Sequence, residues 1–497
     1  MKRPYLPTLV ASGSLALLAL TAPWSQAATI VVTSTADNGP GTLRAALAGA
    51  ASNDVITFAV SLPATITLTS GELFLPANVT INGPGAGNLS ISGNNSGRVF
   101  HIGPSITVNI SGLTIRDGLA LGGSIGAGIY IENAALTLAK CTITNNQVNS
   151  GPGGGIHNDH GTLAVTNCTI SNNRASNGGG IFNNFSTLTV SNSTFTGNSA
   201  SNGGAIYNER GSAAAHDCTI YLNGAAKGGG IFNFASNIPA TFALNNCTVT
   251  GNTASGATGS GGGLYNIAVK AALTISNSTI SGNIAGVGFG GGIYNTQGLV
   301  TLGNTILKNA DFEGGTLVNA NAGIVTSAGY NLSSDAAAGL LNATGDQPNT
   351  DPLLDPAGLQ NNGGPTLTIA LQGTSAAVDK GKRDTIPALA TSFDQRGELR
   401  PFDDPTIPNA IIGDASDIGA YEAGVRVVTA NRLGNDLRLS FTTILGRNYQ
   451  VQNRASLVSD DWGTLPGTVA GNGGIVPVTI TNAFSEPRHF YRVRQVP

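Results

Sequence analysis

Gly178-Gly-Gly-Ile-Phe-Asn-Asn-Phe-Ser-Thr-Leu-Thr-Val-Ser-Asn-Ser-Thr-Phe-Thr-Gly-Asn198 holds both halves of an internal repeat. The first half, Gly-Gly-Gly-Ile-aromatic-Asn, recurs at Gly153–Asn158 (His157 in the aromatic place), Gly203–Asn208, Gly228–Asn233, Gly261–Asn266 and Gly290–Asn295, with a looser copy at Gly126–Tyr130. Its central aliphatic residues are Ile129, Ile156, Ile181, Ile206, Ile231, Leu264 and Ile293, spaced by 27, 25, 25, 25, 33 and 29 residues. The second half, Leu-Thr-Ile-x-Asn-Ser/Cys-Thr-Ile-x-x-Asn, also runs from Leu163 to Asn173 and from Leu273 to Asn283. A repeat of this length is one supersecondary unit that cannot bury its own apolar side and must stack on its neighbours.

Each unit offers three short β segments. Leu163 and Val165 alternate as a half-buried strand requires, and Cys168 and Ile170 alternate in the opposite phase. A bend at Asn167 resolves the shift, and Asn192, Asn246 and Asn277 recur at that place. Asn tolerates the left-handed backbone and bonds to nearby main chain. Stacked asparagines can also pair amide to amide along the axis. The glycine run makes a second corner, where positive φ is expected. Stacking identical residues ~4.8 Å apart then produces continuous Ile, Leu and Val columns. The predicted fold is all-β: a right-handed parallel β-helix with an N-terminal cap and a small C-terminal antiparallel module. Separate hairpins or a propeller fit less well, because a four-stranded blade needs ~40 residues.

Working outward, residues 28–125 continue the pattern as irregular first coils. Short strands are expected around Ile30, Val55, Thr65, Val79, Leu89 and Val108, and a helix begins at Thr42 with Leu43, Ala46, Leu47 and Ala50 on one face. Residues 28 to about 60 are read as the cap, since open strand edges invite aggregation. Regular repeats occupy 126–310. From 311 to 424 the repeat fades and charges increase. Residues 425–497 form a sandwich-like β module, with Leu437, Leu439 and Phe441, Tyr449 and Val451, and Val476, Val478 and Ile480 alternating. At the other end, Lys2-Arg3, an apolar run from Leu9 and the small residues around Ser25-Gln-Ala27 read as a secretory signal cleaved after Ala27. An uncleaved anchor is the alternative, although the run falls short of the ~20 residues that span a bilayer. No later segment is a transmembrane candidate. The expected protein is secreted or held at the cell surface, and monomeric.

Composition narrows the function. The chain has 497 residues, 69 of them Gly, and only 10% are charged, with a net charge of −3. Nothing in that balance recommends nucleic acid as a partner. The four cysteines, Cys141, Cys168, Cys218 and Cys247, share one slot of the repeat, held elsewhere by Ser193 and Ser278. Consecutive coils would bring Cys141 to Cys168 and Cys218 to Cys247. In an exported protein these pairs are either disulfides or buried free thiols; parallel side chains in register favour the thiols. In neither case are they catalytic, and no zinc pattern exists.

The units Gly290–Asn295 and Asn277–Asn283 resemble the right-handed β-helix and polymorphic-outer-membrane-protein repeats of bacterial surface proteins. The stretch 330–422 resembles the choice-of-anchor Q domain in Gly329-Tyr-Asn-Leu332, Thr350-Asp-Pro-Leu353, Asn361-Asn-Gly-Gly-Pro365, Ala376-Ala-Val-Asp379, Asp394-Gln-Arg-Gly397 and Asp417-Ile-Gly-Ala-Tyr-Glu422. These resemblances cover ~300 residues and imply an exported or surface-displayed protein, with no known reaction. The chain shows no evident sortase motif or hydrophobic tail, and Phe490-Tyr-Arg-Val-Arg494 resembles small C-terminal β modules of secreted planctomycete and verrucomicrobial proteins.

Three constellations carry candidate chemistry. In the 25-residue register Asp159 aligns with Asn184 and Glu209, and His160 with Phe185 and Arg210. Two carboxylates two coils apart, with His160 and Arg210 beside them, are the best candidates for a polysaccharide lyase or glycoside hydrolase; the plainer reading is a solvated edge. Tyr130, Phe182, Tyr207, Phe232, Tyr265 and Tyr294, with His157 in line, point away from the Ile column and form either a platform for sugar rings or a self-stacked ladder. Asp394, Arg396, Arg400, Asp403, Asp404, Asp414, Asp417 and Glu422 either bind calcium, with Asp414 and Asp417 as candidate ligands, or lock a Gly-rich turn through Arg396. No other cofactor is expected. A non-catalytic adhesin that binds polysaccharide or host and cell-surface glycan is the leading reading, and a polysaccharide lyase or glycoside hydrolase is the alternative.

Overall fold

The computed structural model describes residues 27–496 apart from 257, 287–288, 309–314, 405–406, 426, 445, 456–461 and 486–488. The expected signal segment lies outside the described residues, save Ala27. Each repeat is one coil of three strands, in the quoted stretch Ile181–Asn184, Thr187–Ser191 and Thr194–Thr196. Every strand pairs in parallel with its counterparts one coil away. Ile181 faces Ile156 and Ile206, and Leu188 faces Leu163 and Ala213. Phe195 faces Ile170 and Ile220. About eleven coils result, with a first sheet of twelve strands (through Leu188), a second of eleven (through Phe195) and a third of ten (through Ile181). This is the expected right-handed parallel β-helix.

Left-handed residues turn the coil's corners. Asn167, Asn192, Asn246 and Asn277 have φ of 53, 48, 51 and 51° at the bend between first and second sheets. Gly178 has φ 61°, and at Gly179 a Cβ would stand 2.6 Å from the carbonyl oxygen of Gly204 on the next coil. Strand spacing thus leaves no room for a side chain there. The amide stacking sits elsewhere than expected. The bend asparagines do not form the continuous ladders; two other columns do. Asn158, Asn183, Asn208, Asn233, Asn266, Asn295 and Asn319 each donate to the next at 2.8–2.9 Å. Asn146, Asn173, Asn198, Asn223, Asn252 and Asn283 do the same at 2.9–3.0 Å. Apart from the terminal Asn319 these side chains are buried, so each amide needs a partner, and the copy on the next coil supplies it.

The Ile column and the inward residues of the other two sheets form one core from Val32 to Leu341. The helix α1 (Leu43–Gly49) closes its N-terminal end, burying Leu43, Ala46 and Leu47, with Thr42 capping through its hydroxyl to the Ala45 N–H. The coils run past residue 310, because Leu317 stays in register with Ile293, Val325 with Val300 and Leu332 with Ile306 although the triple glycine is gone. Ala337 and Leu341 cover that end.

After the last coil the chain doubles back as a strap along the second sheet. Thr366 donates to the carbonyl of Asp217, Thr219 to that of Leu367, and Asn246 to that of Phe393. Thr219, Thr248 and Thr279 are buried beneath it, while Thr142, Thr169 and Thr194, on coils it does not reach, stay open. Strands Val427–Leu433, Asp436–Thr442 and Ile475–Ile480 then form one antiparallel sheet, and Asn448–Arg454 with Phe490–Val496 the backbone of a second. Leu437, Leu439, Phe441, Tyr449, Val451 and Ile480 fill the space between. Among the described residues no helix is long and apolar enough to cross a membrane.

Candidate functional site

The outward side of the third sheet carries the chemistry. Coil register alone stacks its rings, and the column is longer than the repeat motif indicated. Phe74, His101, Tyr130, His157, Phe182, Tyr207, Phe232, Tyr265 and Tyr294 follow one another at centroid distances of 4.7–5.6 Å. The faces of the middle rings are occupied by neighbouring rings. His157, Phe182, Tyr207, Phe232 and Tyr265 are only 4–7% exposed. The expected platform of open ring faces is therefore not present along the middle of the ladder. Tyr130 and Tyr294 are half-buried. Burial lowers the His157 imidazole to about 4, which keeps it neutral and ring-like.

Two positions along each strand, Glu132, Asp159, Asn184 and Glu209 form a polar column. The structure brings the four catalytic candidates to one edge as the register implied. His160 Nδ1 lies 2.9 Å from an Asp159 carboxylate oxygen, to which Asn184 also donates at 2.8 Å. Arg210 donates to Glu209. His160, Phe185 and Arg210 occupy a left-handed corner, with φ of 55, 50 and 54°. His160 stacks on one side of Phe185 at 5.0 Å and Arg210 lies 4.2 Å from its centroid. Each carboxylate is thus engaged by its own neighbours.

Sequence reasoning missed the N-terminal end of this face. Leu73–Leu75 and Phe100–Ile102 are third-sheet strands in coils without the glycine motif, and each reads in–out–in. Aligning Phe100-His-Ile102 with Ile129-Tyr-Ile131 reveals them. They present Phe74 and His101 and bring in Glu72, Arg98 and Glu132. The His101 ring nitrogens lie 3.1 Å from Glu72 and 3.0 Å from Glu132. Arg98 donates to Glu72 at 2.5 Å and sits 5.1 Å from the Tyr130 ring centroid. The His101 hydrogen bond and the Arg98 charge hold the Glu72 carboxyl below its usual range against partial burial.

The calcium candidates lie within the strap. Asp417 accepts from the N–H groups of Asp379 and Ala423, and Asp414 pairs with Arg383. Arg396 pairs with Asp394 at 2.7 Å, donates to the Glu422 carbonyl and lies 3.8 Å from the Tyr421 centroid. These carboxylates face backbone donors and arginines, and among the described residues no three His, Cys, Asp or Glu side chains are grouped to hold a metal ion. The cysteines are buried free thiols. Their slot faces the backbone of the preceding coil. Cys168 Sγ accepts from the Cys141 N–H, and Ser193 Oγ accepts from the Cys168 N–H. Either residue can accept that hydrogen bond, which explains why Ser and Cys alternate in the slot.

Residues 90–270 match the family model described as a right handed beta helix region, a little over a third of the chain. The chain matches no curated protein. Coil geometry and family match agree on the fold, a right-handed parallel β-helix.

Proposed function

We propose that the protein is an exported, non-catalytic β-helix rod that acts at the cell surface as an adhesin, binding glycans through the outer side of its third sheet. The observation that carries this reading is the setting of the acidic column: Asp159, held by His160 and Asn184, and Glu209, held by Arg210, lie two coils apart on an outer edge rather than facing each other across a cleft that would enclose a scissile bond. The basic and apolar start of the sequence and its resemblance to polymorphic-outer-membrane-protein and choice-of-anchor Q proteins support export.

The test incubates the protein with plant, algal and host polysaccharides and follows unsaturated products and new reducing ends, alongside a glycan array. Binding without turnover is expected. Product formation that disappears in Asp159→Ala or Glu209→Ala would instead establish the lyase or hydrolase alternative. Fractionating cells that express a tagged copy into medium, outer membrane and periplasm checks the location.

A further inference from the structure

The ring ladder is open at its N-terminal end. Every interior ring has a neighbour on both sides, but Phe74 is its first member. Its tip rests on the following coil, where a Cβ at Gly103 would stand 3.0 Å from Phe74 Cζ, and His101 meets it edge-on at 5.1 Å. The remainder of the ring is free: Phe74 is 47% exposed. The place of the missing next ring is a cavity of about 310 Å³ lined by Phe74, Arg44, Leu47, Ala48, Glu72 and Pro76. That is the small end of the range of ligand pockets, with room for a single ring. Glu72 also lines a second cavity of about 400 Å³ beside Arg98 and Leu121. One carboxylate therefore stands between two adjoining hollows.

The polar groups select the ligand class. Arg44 pairs with Asp37 at 2.7 Å and donates to the carbonyls of Gly71 and Glu72. Arg98 pairs with Glu72 and donates to the carbonyls of Ile125 and Gly126. His101 lies between Glu72 and Glu132. Each cation already faces a carboxylate, so the site offers no surplus positive charge to a uronate or a sulfated sugar. Glu72 accepts from two partners, and a carboxylate has about four acceptor positions. The remaining positions can accept hydroxyl protons. An apolar ring face beside such acceptors suits the C–H face and hydroxyl rim of an uncharged pyranose.

We propose that Phe74 and the two hollows flanking Glu72 form a binding site for a neutral oligosaccharide, one sugar ring stacking on Phe74 as the next rung of the ladder. This rests on the glycan-binding reading above and adds the place and the ligand class. The test screens the full chain on an array of neutral and acidic glycans and titrates the best neutral binder by calorimetry. Neutral glycans are expected to bind in preference to uronate and sulfated ones. Phe74→Ala is expected to weaken binding at least tenfold, Phe74→Tyr to stay within threefold of the parent, and Ala48→Trp, which fills the cavity from an exposed helix position, to weaken binding as Phe74→Ala does. Full affinity in Phe74→Ala or in Ala48→Trp overturns the site while leaving glycan binding intact. A preference for acidic glycans overturns the ligand class. No binding to any glycan overturns the broader reading as well.

Discussion

Leu222 shows how strictly a coil position selects its residue. It follows a second-sheet strand at a left-handed corner, with φ 54°, where other coils place Asn172, Gly197, Gly251 and Gly282. A leucine gains nothing there in return, since it is 63% exposed. The left-handed conformation costs a residue with a full side chain on the order of 1 kcal/mol. Leu222→Asn should therefore raise stability by about 1 kcal/mol, read as a higher denaturant midpoint with unchanged slope. The same corner logic made the Asn167 and Asn192 bends readable in advance. It did not disclose the His160–Phe185–Arg210 corner, because Phe and Arg do not favour positive φ and only the stacked coils hold them there.

At the scale of a single column, the ring ladder buries one imidazole, that of His157. Neither His157 ring nitrogen has a hydrogen-bond partner, and burial holds the group near 4 against an ordinary 6.5. A depressed base binds fewer protons when folded than when unfolded, so its contribution is intact above about pH 6.5 and is lost as pH falls toward 4. His157→Phe continues the ladder with a ring that cannot ionise. Denaturation at a series of pH values should show the parent losing about 3 kcal/mol more than the variant over that interval. Equal slopes would mean that His157 protonates in place without penalty. This column also marks the limit of reading from pattern. Tyr130 to Tyr294 were visible because they follow a glycine run; Phe74 and His101 were not, because their coils keep the in–out–in alternation and lose the glycines.

For the whole molecule, the strap couples distant coils. The Gln395 side chain bridges Thr219, Thr248 and Thr366, and its bond to Thr248 closes 147 residues of chain. No local pattern announces such a partnership. The repeat made the coils legible, and the strap residues Asp394, Arg396 and Asp417 could be recognised as a set, but their course over Thr219, Thr248 and Thr279 is a tertiary fact. Within the strap, burial raises the Asp379 carboxyl to about 7, and the charges of Asp403 and Asp404 add to the rise. An acid raised in this way stabilises the fold fully below its ordinary value of 3.8, and that contribution is lost as pH climbs through about 7. Asp379→Asn should match the parent at pH 4 and exceed it by about 4 kcal/mol at pH 8. A constant difference across that range would show that Asp379 is charged in the folded protein throughout.

The two amide ladders make the length of the rod a quantised property. Each rung accepts only a whole successor, so the chain can be shortened or extended only by complete windings. Excising residues 181–205 would join Gly180 to Ile206, place Asn208 on Asn158 and leave the strapped coils from Asp217 onward untouched. Such a protein should melt cooperatively and scatter X-rays as a rod ~5 Å shorter, whereas excising half that number should abolish folding. Variation among proteins of this build should accordingly appear as steps of one winding, like the divisions of a ruler.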